Sequence, residues 1–287
     1  MKRMAKETVV GIDLGGTKVE IGRVEDGRIV RYVTAAVSAQ GSKKQVIEEV
    51  VAAVEKVYDP AVAGIGVGVP SVVDVERGIV YDVQNIPSWK EVPLKNILQE
   101  RFDRPVYINN DANCFAVGEK YFSRGRRYRH LVGLIIGTGL GAGIVLNDRL
   151  YSGPNCGAGE FGMIPYKESI LEHYCSGQYF IREHGIKGEE IFARATRRDP
   201  EALGIFKRFG RYVGDALMII MLAVDPEAII LGGSVSRAFS LFGGGMREAM
   251  KSFPYRKSLE RVIIETSGEP QIAVLGAAAL YYDARRG

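Results

Sequence analysis

Three short strands, a helix and a further strand occur twice in this chain in the same order. A recurrence of that kind restricts the fold to two similar sheets, each covered by helices. In the first half, apolar patterning predicts strands over 8–14, 18–25 and 28–34, then a helix over 43–57 and a strand over 62–69. Val46, Ile47, Val50, Val51, Val54 and Val57 fall along one face of that helix. In the second half, strands are predicted over 130–137, 141–147 and 149–152, followed after a long insertion at 152–188 by a helix over 200–223 and a strand over 227–231. A terminal helix over 272–282 is expected to return to the first half. The expected class is α/β, with a small domain of 1–108 plus 272–287 and a larger domain of 109–271 that carries the insertion. A cleft between two such halves is a natural place for a ligand.

Glycine turns stand at equivalent strand ends. Val9-Val10-Gly11-Ile12 stops at Asp13, turns through Gly15 and Gly16, and resumes after Thr17 and Lys18 as an alternating strand. Glycine supplies the freedom of a tight turn, and the backbone N–H groups with Thr17 and Lys18 can then face phosphates. Asp13 suits a magnesium ion, which prefers carboxylates and retained waters. The same residues also suit an ordinary hairpin. Gly137-Thr138-Gly139 falls at the matching place in the second half, and Gly232-Gly233 follows the Ile229-Ile230 strand where a ribose or base would fit. Each of these is a tight turn by itself; three at equivalent places argue for one nucleotide.

Between the first two turns, Asn109-Asn110-Asp111 runs from a strand into a helix. Asp111 is either an N-cap or a general base that takes the proton of a substrate hydroxyl, and the two roles are compatible. Asn110 would then bond a neighbouring hydroxyl of a polyol.

The rest of the composition sets limits. No window of the 287 residues approaches the roughly twenty apolar residues of a membrane span. The charged stretch Met1–Thr8 lacks an apolar signal region, so a cytoplasmic location and no membrane partner are expected. Cys114, Cys156 and Cys175 are too few and too scattered for a disulfide framework, which agrees with a reducing compartment. The net charge of +4 is mild, and the basic run Arg124–His130 reads as solvated charge on a link, so nucleic acid is not expected as a partner.

Asp13–Lys18, Asn110-Asp111-Ala112-Asn113, Gly137–Gly143 and Gly157-Ala158-Gly159-Glu160-Phe161-Gly162 resemble, in order and spacing, the sugar kinases of the ROK family (repressor, open reading frame, kinase). The likeness extends to Gly68-Val69-Pro70, Asp74, the Asn85–Trp89 segment, Leu231–Ser234 and Val274–Ala278. The resemblance implies the duplicated ribonuclease-H-like fold of actin and hexokinase, with two domains flanking a cleft, and transfer of the γ-phosphate of Mg·ATP to a sugar hydroxyl, generally at C6. It implies Asp111 as catalytic base, Asn85, Asn110, Glu160 and Met163 at the sugar, and Asp13 at Mg²⁺, through water. It further implies Gly15, Gly16, Thr17, Lys18, Gly137, Thr138, Gly139, Gly232 and Gly233 as nucleotide contacts, and a homodimer.

The departures concern the sugar side. Many members carry a histidine where this chain has Met163, and a cysteine-rich zinc segment where it reads His173-Tyr174-Cys175-Ser176-Gly177. Structural zinc takes four nitrogen or sulfur ligands, so none is expected here, and Tyr166, Tyr174, Tyr179 and Phe180 are expected to hold the insertion by packing. The family's second sugar-binding glutamate corresponds to Glu183 or is absent, and Ser71 replaces a glycine. The expected activity is therefore ATP-dependent phosphorylation of a hexose, glucose first, with N-acetylmannosamine, N-acetylglucosamine, mannose and fructose open. The rivals are a sugar-responsive regulator, for which only ten residues precede Gly11, and an actin-like assembly protein.

Overall fold

Strand β1 (Thr8–Leu14) is the centre of the first sheet, paired antiparallel with β2 (Lys18–Glu25) and parallel with a later strand. Covered on both faces, it reads as the apolar run Val9-Val10-Gly11-Ile12 rather than as an alternation, and these side chains are fully buried. The computed structural model describes residues 7–83 and 85–286; residues 1–6, on which the reading of the N-terminus partly rests, lie outside them. After β3 (Arg28–Ala36), helix α1 (Lys43–Glu55) begins at Ser42, whose hydroxyl accepts the Gln45 N–H at 3.2 Å. It buries Val46, Val50, Ala53 and Val54 along one face. Each fully buried valine contributes about 1.5–3 kcal/mol.

Strand β4 (Val62–Val69) is followed by a small antiparallel sheet of β5 (Val72–Asp74), β6 (Ile79–Tyr81) and β7 (Glu91–Val92). Helix α2 (Leu94–Phe102), strand β8 (Val106–Asn110) and helix α3 (Asp111–Phe122) complete this half. The sheet order is β3-β2-β1-β4-β8.

The second half opens with β9 (Leu131–Ile136), β10 (Leu140–Leu146) and β11 (Arg149–Tyr151). The insertion holds the hairpin of β12 (Pro165–Tyr166) and β13 (Ser169–Ile170), then α4 (Leu171–Cys175), α5 (Gln178–His184) and α6 (Gly188–Thr196). Helix α7 (Pro200–Val224) starts at Asp199, whose side chain accepts the N–H groups of Glu201 and Ala202. Strand β14 (Ala228–Gly232), helices α8 (Phe239–Met250) and α9 (Arg256–Arg261), strand β15 (Ile263–Thr266) and helix α10 (Ile272–Ala284) follow. The order β11-β10-β9-β14-β15 repeats that of the first sheet strand for strand. The expected duplicated ribonuclease-H-like α/β fold is the one observed.

Contacts divide the chain into two compact units, Met1–Arg127 with Gly143–Ala158 and Gly268–Gly287, and Tyr128–Ala142 with Gly159–Ser267. Helix α3 lies in the first unit, as does α10, which packs on β1, β4 and α3 with Ala277, Ala278, Ala279 and Tyr281 fully buried. In the second unit α7 packs on α8, with Phe209 and Phe242 rings 5.4 Å apart. All three cysteines are buried free thiols. Among the described residues, no helix is long and apolar enough to cross a membrane.

Candidate active site

Asp13, the penultimate residue of β1, lies opposite Glu20 on β2 and beside Gly68 on β4. Burial pushes the Asp13 carboxyl from 3.8 up to about 6; the negative charges of Asp111 and Glu20 add to this, and Lys18 opposes it. The fold thus brings Asp111 near Asp13. Among the described residues no hydrogen bond or ion pair reaches the Asp13 carboxylate. Glu20, in contrast, accepts the Tyr32 hydroxyl at 2.5 Å and meets the Lys18 ammonium at 3.2 Å.

The turn after Asp13 is closed by the Gly15 N–H on the Lys18 carbonyl at 2.9 Å. Neither Gly15 nor Gly16 has a positive φ, so the conformational argument for glycine made from the sequence does not hold there. Gly16 is required by close approach instead: a Cβ on it would stand 2.3 Å from Cβ of Asn85. The nucleotide candidate Gly16 and the sugar candidate Asn85 are therefore neighbours, with Thr17 and Lys18 exposed at the tip.

At the junction of β8 and α3 the N-cap is Asn110, whose Oδ1 accepts the Ala112 N–H at 2.8 Å. This corrects the capping role considered for Asp111. Asp111 is the first helical residue, shares the same N–H through its own Oδ1 at 2.8 Å, and has its carboxyl raised by burial against the pull of backbone N–H groups. Its proton affinity thus moves in the direction a general base at neutral pH needs.

Beneath the junction lies a network that the sequence reading missed. Asn109 Oδ1 accepts the Asn110 N–H at 2.9 Å, Asn113 Nδ2 at 2.9 Å and the Cys156 thiol at 3.2 Å, while Asn109 Nδ2 donates to Ser152 Oγ at 3.0 Å. Both asparagines are buried. Their spacing, four residues apart across the end of β8 and the first turn of α3, is the signal in Asn109-Asn110-Asp111-Ala112-Asn113 that would have paired them.

In the second unit, the Gly137 N–H donates to the Gly139 carbonyl at 3.0 Å, leaving Thr138 exposed at the tip of the turn. Gly233 has φ +84°, and a Cβ on it would stand 2.4 Å from the Ile136 carbonyl oxygen. The fold therefore brings Gly232-Gly233 and the Gly137 turn together. Glu160 and Met163 bound a short 3-10 turn, Phe161–Met163, and both are exposed, Met163 by 60%. Glu183 is exposed on α5.

The ROK family model matches residues 9–284. The chain belongs to the ROK family. It is 31% identical to a glucokinase of Thermotoga maritima, over 87% of this chain and 89% of that one. To an N-acetyl-D-glucosamine kinase of Mannheimia succiniciproducens it is 29% identical, over 94% and 98%. The crystal structure of a ROK family glucokinase from Streptomyces griseus, in complex with glucose and AMPPNP, superposes with a TM-score of 0.78 at 28% identity, covering 95% of this chain and 98% of that one.

In this ROK protein the insertion is held by rings. Tyr166, Tyr174 and Tyr212 meet edge to face with centroids 5.3–6.3 Å apart, and the Lys167 ammonium sits 4.2 Å from the Tyr212 centroid. Tyr179 and Phe180 pack on Phe209, and the Tyr166 hydroxyl donates to Asp215. The two residues left from the zinc segment are engaged elsewhere: His173 Nδ1 lies 2.6 Å from Ser169 Oγ, and the Cys175 thiol donates to the Tyr212 carbonyl at 3.2 Å.

Proposed function

We propose that this ROK protein transfers the γ-phosphate of ATP to the 6-hydroxyl of a hexose, with glucose the principal acceptor. The observation that carries the reading is Asp111: Asn110 does the capping, so the Asp111 carboxyl stands at the helix start, raised in proton affinity and close to a second carboxyl, Asp13. The sugar oxygen attacks the terminal phosphorus as Asp111 takes its proton, and ADP leaves. Asn110, Asn85 and Glu160 orient the sugar. The turns at Gly15–Lys18, Gly137–Gly139 and Gly232-Gly233 supply backbone and hydroxyl donors to the nucleotide.

Magnesium fits the residues present. Asp13 accepts no hydrogen bond among the described residues and is made reluctant to ionise by burial and then by two neighbouring acids, so a divalent cation would relieve it. Mg²⁺ commonly takes one or two carboxylates with retained waters and substrate phosphates, and when bound it neutralises phosphate charge. A cytoplasmic homodimer belongs to the same reading and is supported by the family resemblance.

The relatives named glucokinase favour glucose, and the one named N-acetyl-D-glucosamine kinase keeps amino sugars on the panel. The test is ATP-coupled turnover by the purified protein with glucose, mannose, fructose, N-acetylglucosamine and N-acetylmannosamine. Glucose is expected to give the highest kcat/KM. No turnover with any of them, or an Asp111→Ala variant of undiminished activity, would overturn the proposal.

A further inference from the structure

The first turn of α3 departs from the usual capping box. With Asn110 as N-cap, Asn113 stands at the place from which a glutamate or glutamine side chain commonly reaches back to accept the N-cap N–H. Asn113 does not accept it. The Asn110 N–H goes instead to Asn109 Oδ1 at 2.9 Å, and Asn113 Nδ2 donates to that same oxygen at 2.9 Å. An N–H can only donate, so the Asn109 atom that faces it is the oxygen, and the Asn113 atom that faces that oxygen is the nitrogen. This orientation leaves Asn113 Oδ1 buried without a hydrogen-bond partner. Asn109 thus completes the box from outside the helix.

The segment after β11 holds the same amide. Ser152 Oγ accepts Asn109 Nδ2 at 3.0 Å, the Cys156 thiol donates to Asn109 Oδ1 at 3.2 Å, and the Ala158 N–H closes the segment on the Ser152 carbonyl at 3.1 Å. Cys156 has φ +56°, a left-handed conformation that is costly for a residue with a Cβ. In that conformation its thiol is buried, and it also receives Asn113 Nδ2 at 3.7 Å. Strain of this kind persists only where the surrounding contacts fix it. All of these residues belong to the first unit.

Asn110 and Asp111 are neighbours that both suit an N-cap. Were Asp111 the cap, its carboxylate would be bound to the N–H groups of the first turn, which lowers its proton affinity and withdraws it from a substrate. We propose that Asn109 is a positioning residue that sets which of the two caps α3: by holding the Asn110 N–H it keeps Asn110 in the cap and leaves the Asp111 carboxyl at the first helical position, open to a substrate proton. The proposal rests on the kinase reading above for what Asp111 does, whereas the choice of cap is a property of the fold. Asn109 is buried with its amide engaged, so it acts through Asp111.

The test compares Asn109→Leu, which keeps the size and removes the amide, with Asn109→Asp, which keeps the acceptor and whose second oxygen can receive a turned Ser152 hydroxyl. Each is made with and without Asp111→Ala. The readouts are kcat at saturating sugar, KM for ATP, the number of ATP sites by calorimetry, and the urea midpoint. Asn109→Leu is expected to lower kcat per ATP site about ten- to a hundredfold, part of what a general base supplies, with KM for ATP within about threefold. Asn109→Asp should keep kcat within about fivefold of the parent, because the acceptor remains. Asp111→Ala should remove little further activity from Asn109→Leu, since both withdraw the same carboxylate. The urea midpoint should respond differently in the two backgrounds. Asp111→Ala is expected to leave it unchanged or higher in the parent and to lower it in Asn109→Leu, where the carboxylate has become the cap.

Parental kcat per ATP site in Asn109→Leu, an Asn109→Asp protein as impaired as Asn109→Leu, or the same midpoint change for Asp111→Ala in both backgrounds would overturn the inference. Should Asn109→Leu fail to fold, Ser152→Ala and Cys156→Ala, which remove the holders and leave Asn109, carry the same comparison. A parent protein that phosphorylates no sugar defeats the kinase reading, while the paired urea midpoints still decide the role of Asn109.

Discussion

Replacing Asp13 with asparagine is expected to make the protein more stable and less active together. The Asp13 carboxyl is raised from 3.8 to about 6, chiefly by burial and then by the charges of Asp111 and Glu20. At 1.36 kcal/mol for each pH unit, that separation is worth about 3 kcal/mol between the two protonation states. A carboxyl whose pKa is higher folded than unfolded holds its proton more tightly in the folded state. Its ionisation therefore costs stability as pH rises from about 4 through 6, and the full cost is present above about pH 7. An asparagine side chain carries no such charge. Urea unfolding without nucleotide or magnesium should show Asp13→Asn equal to the parent near pH 4 and more stable by about 1–3 kcal/mol at pH 8, the upper figure being the full linkage. Sugar phosphorylation should fall at least about a hundredfold, on the order of a group that neutralises phosphate charge. A stability gain that is absent at pH 8, or that is the same at pH 4 and pH 8, would refute the argument that burial and like charge strain this carboxylate.

Further expectations concern the junction, the turns and the ring cluster. Asp111→Asn should lower kcat by about 10²–10⁴-fold with little change in KM for sugar, the range for loss of a general base, measured by coupled ADP release. Gly16→Ala forces a Cβ against Asn85 and should cost about 1–3 kcal/mol in urea unfolding, as overpacking does. Gly137→Ala, which meets nothing, should stay within about 0.5 kcal/mol of the parent yet raise KM for ATP. Tyr166→Phe removes a donor to the Asp215 carboxylate and should cost about 1.5–3 kcal/mol, whereas a chelator should leave Tm unchanged because rings hold the insertion.

Much of the fold is legible because apolar periodicity is local: β1, α1, β4, α7, β14 and α10 lie within two residues of the ranges the pattern predicts. The short strands β5–β7 and the edge strand β15 are not, since a strand of two to four residues holds at most two alternations. The candidate residues are legible as types at strand ends, and Asp13 and Asp111 do approach one another. Their environment is not legible. That Asn109 also gathers Ser152 and Cys156 and that Glu172 reaches Leu140 are contacts set by how separate elements pack, whereas the choice of Asn110 over Asp111 as the cap of α3 lies between two adjacent residues that both suit it.

The glycines show the same division. Sequence alone marked Gly15-Gly16, Gly137, Gly139 and Gly232-Gly233 as tight turns whose backbone can face a nucleotide. Tertiary structure decided what a side chain would meet at four of them: Asn85 at Gly16, the Glu172 carboxylate at Gly139, the Ile136 carbonyl with a positive φ at Gly233, and open space at Gly137. Backbone preference is written in neighbouring residues, whereas steric exclusion and charge proximity depend on groups that only folding brings within a few ångströms.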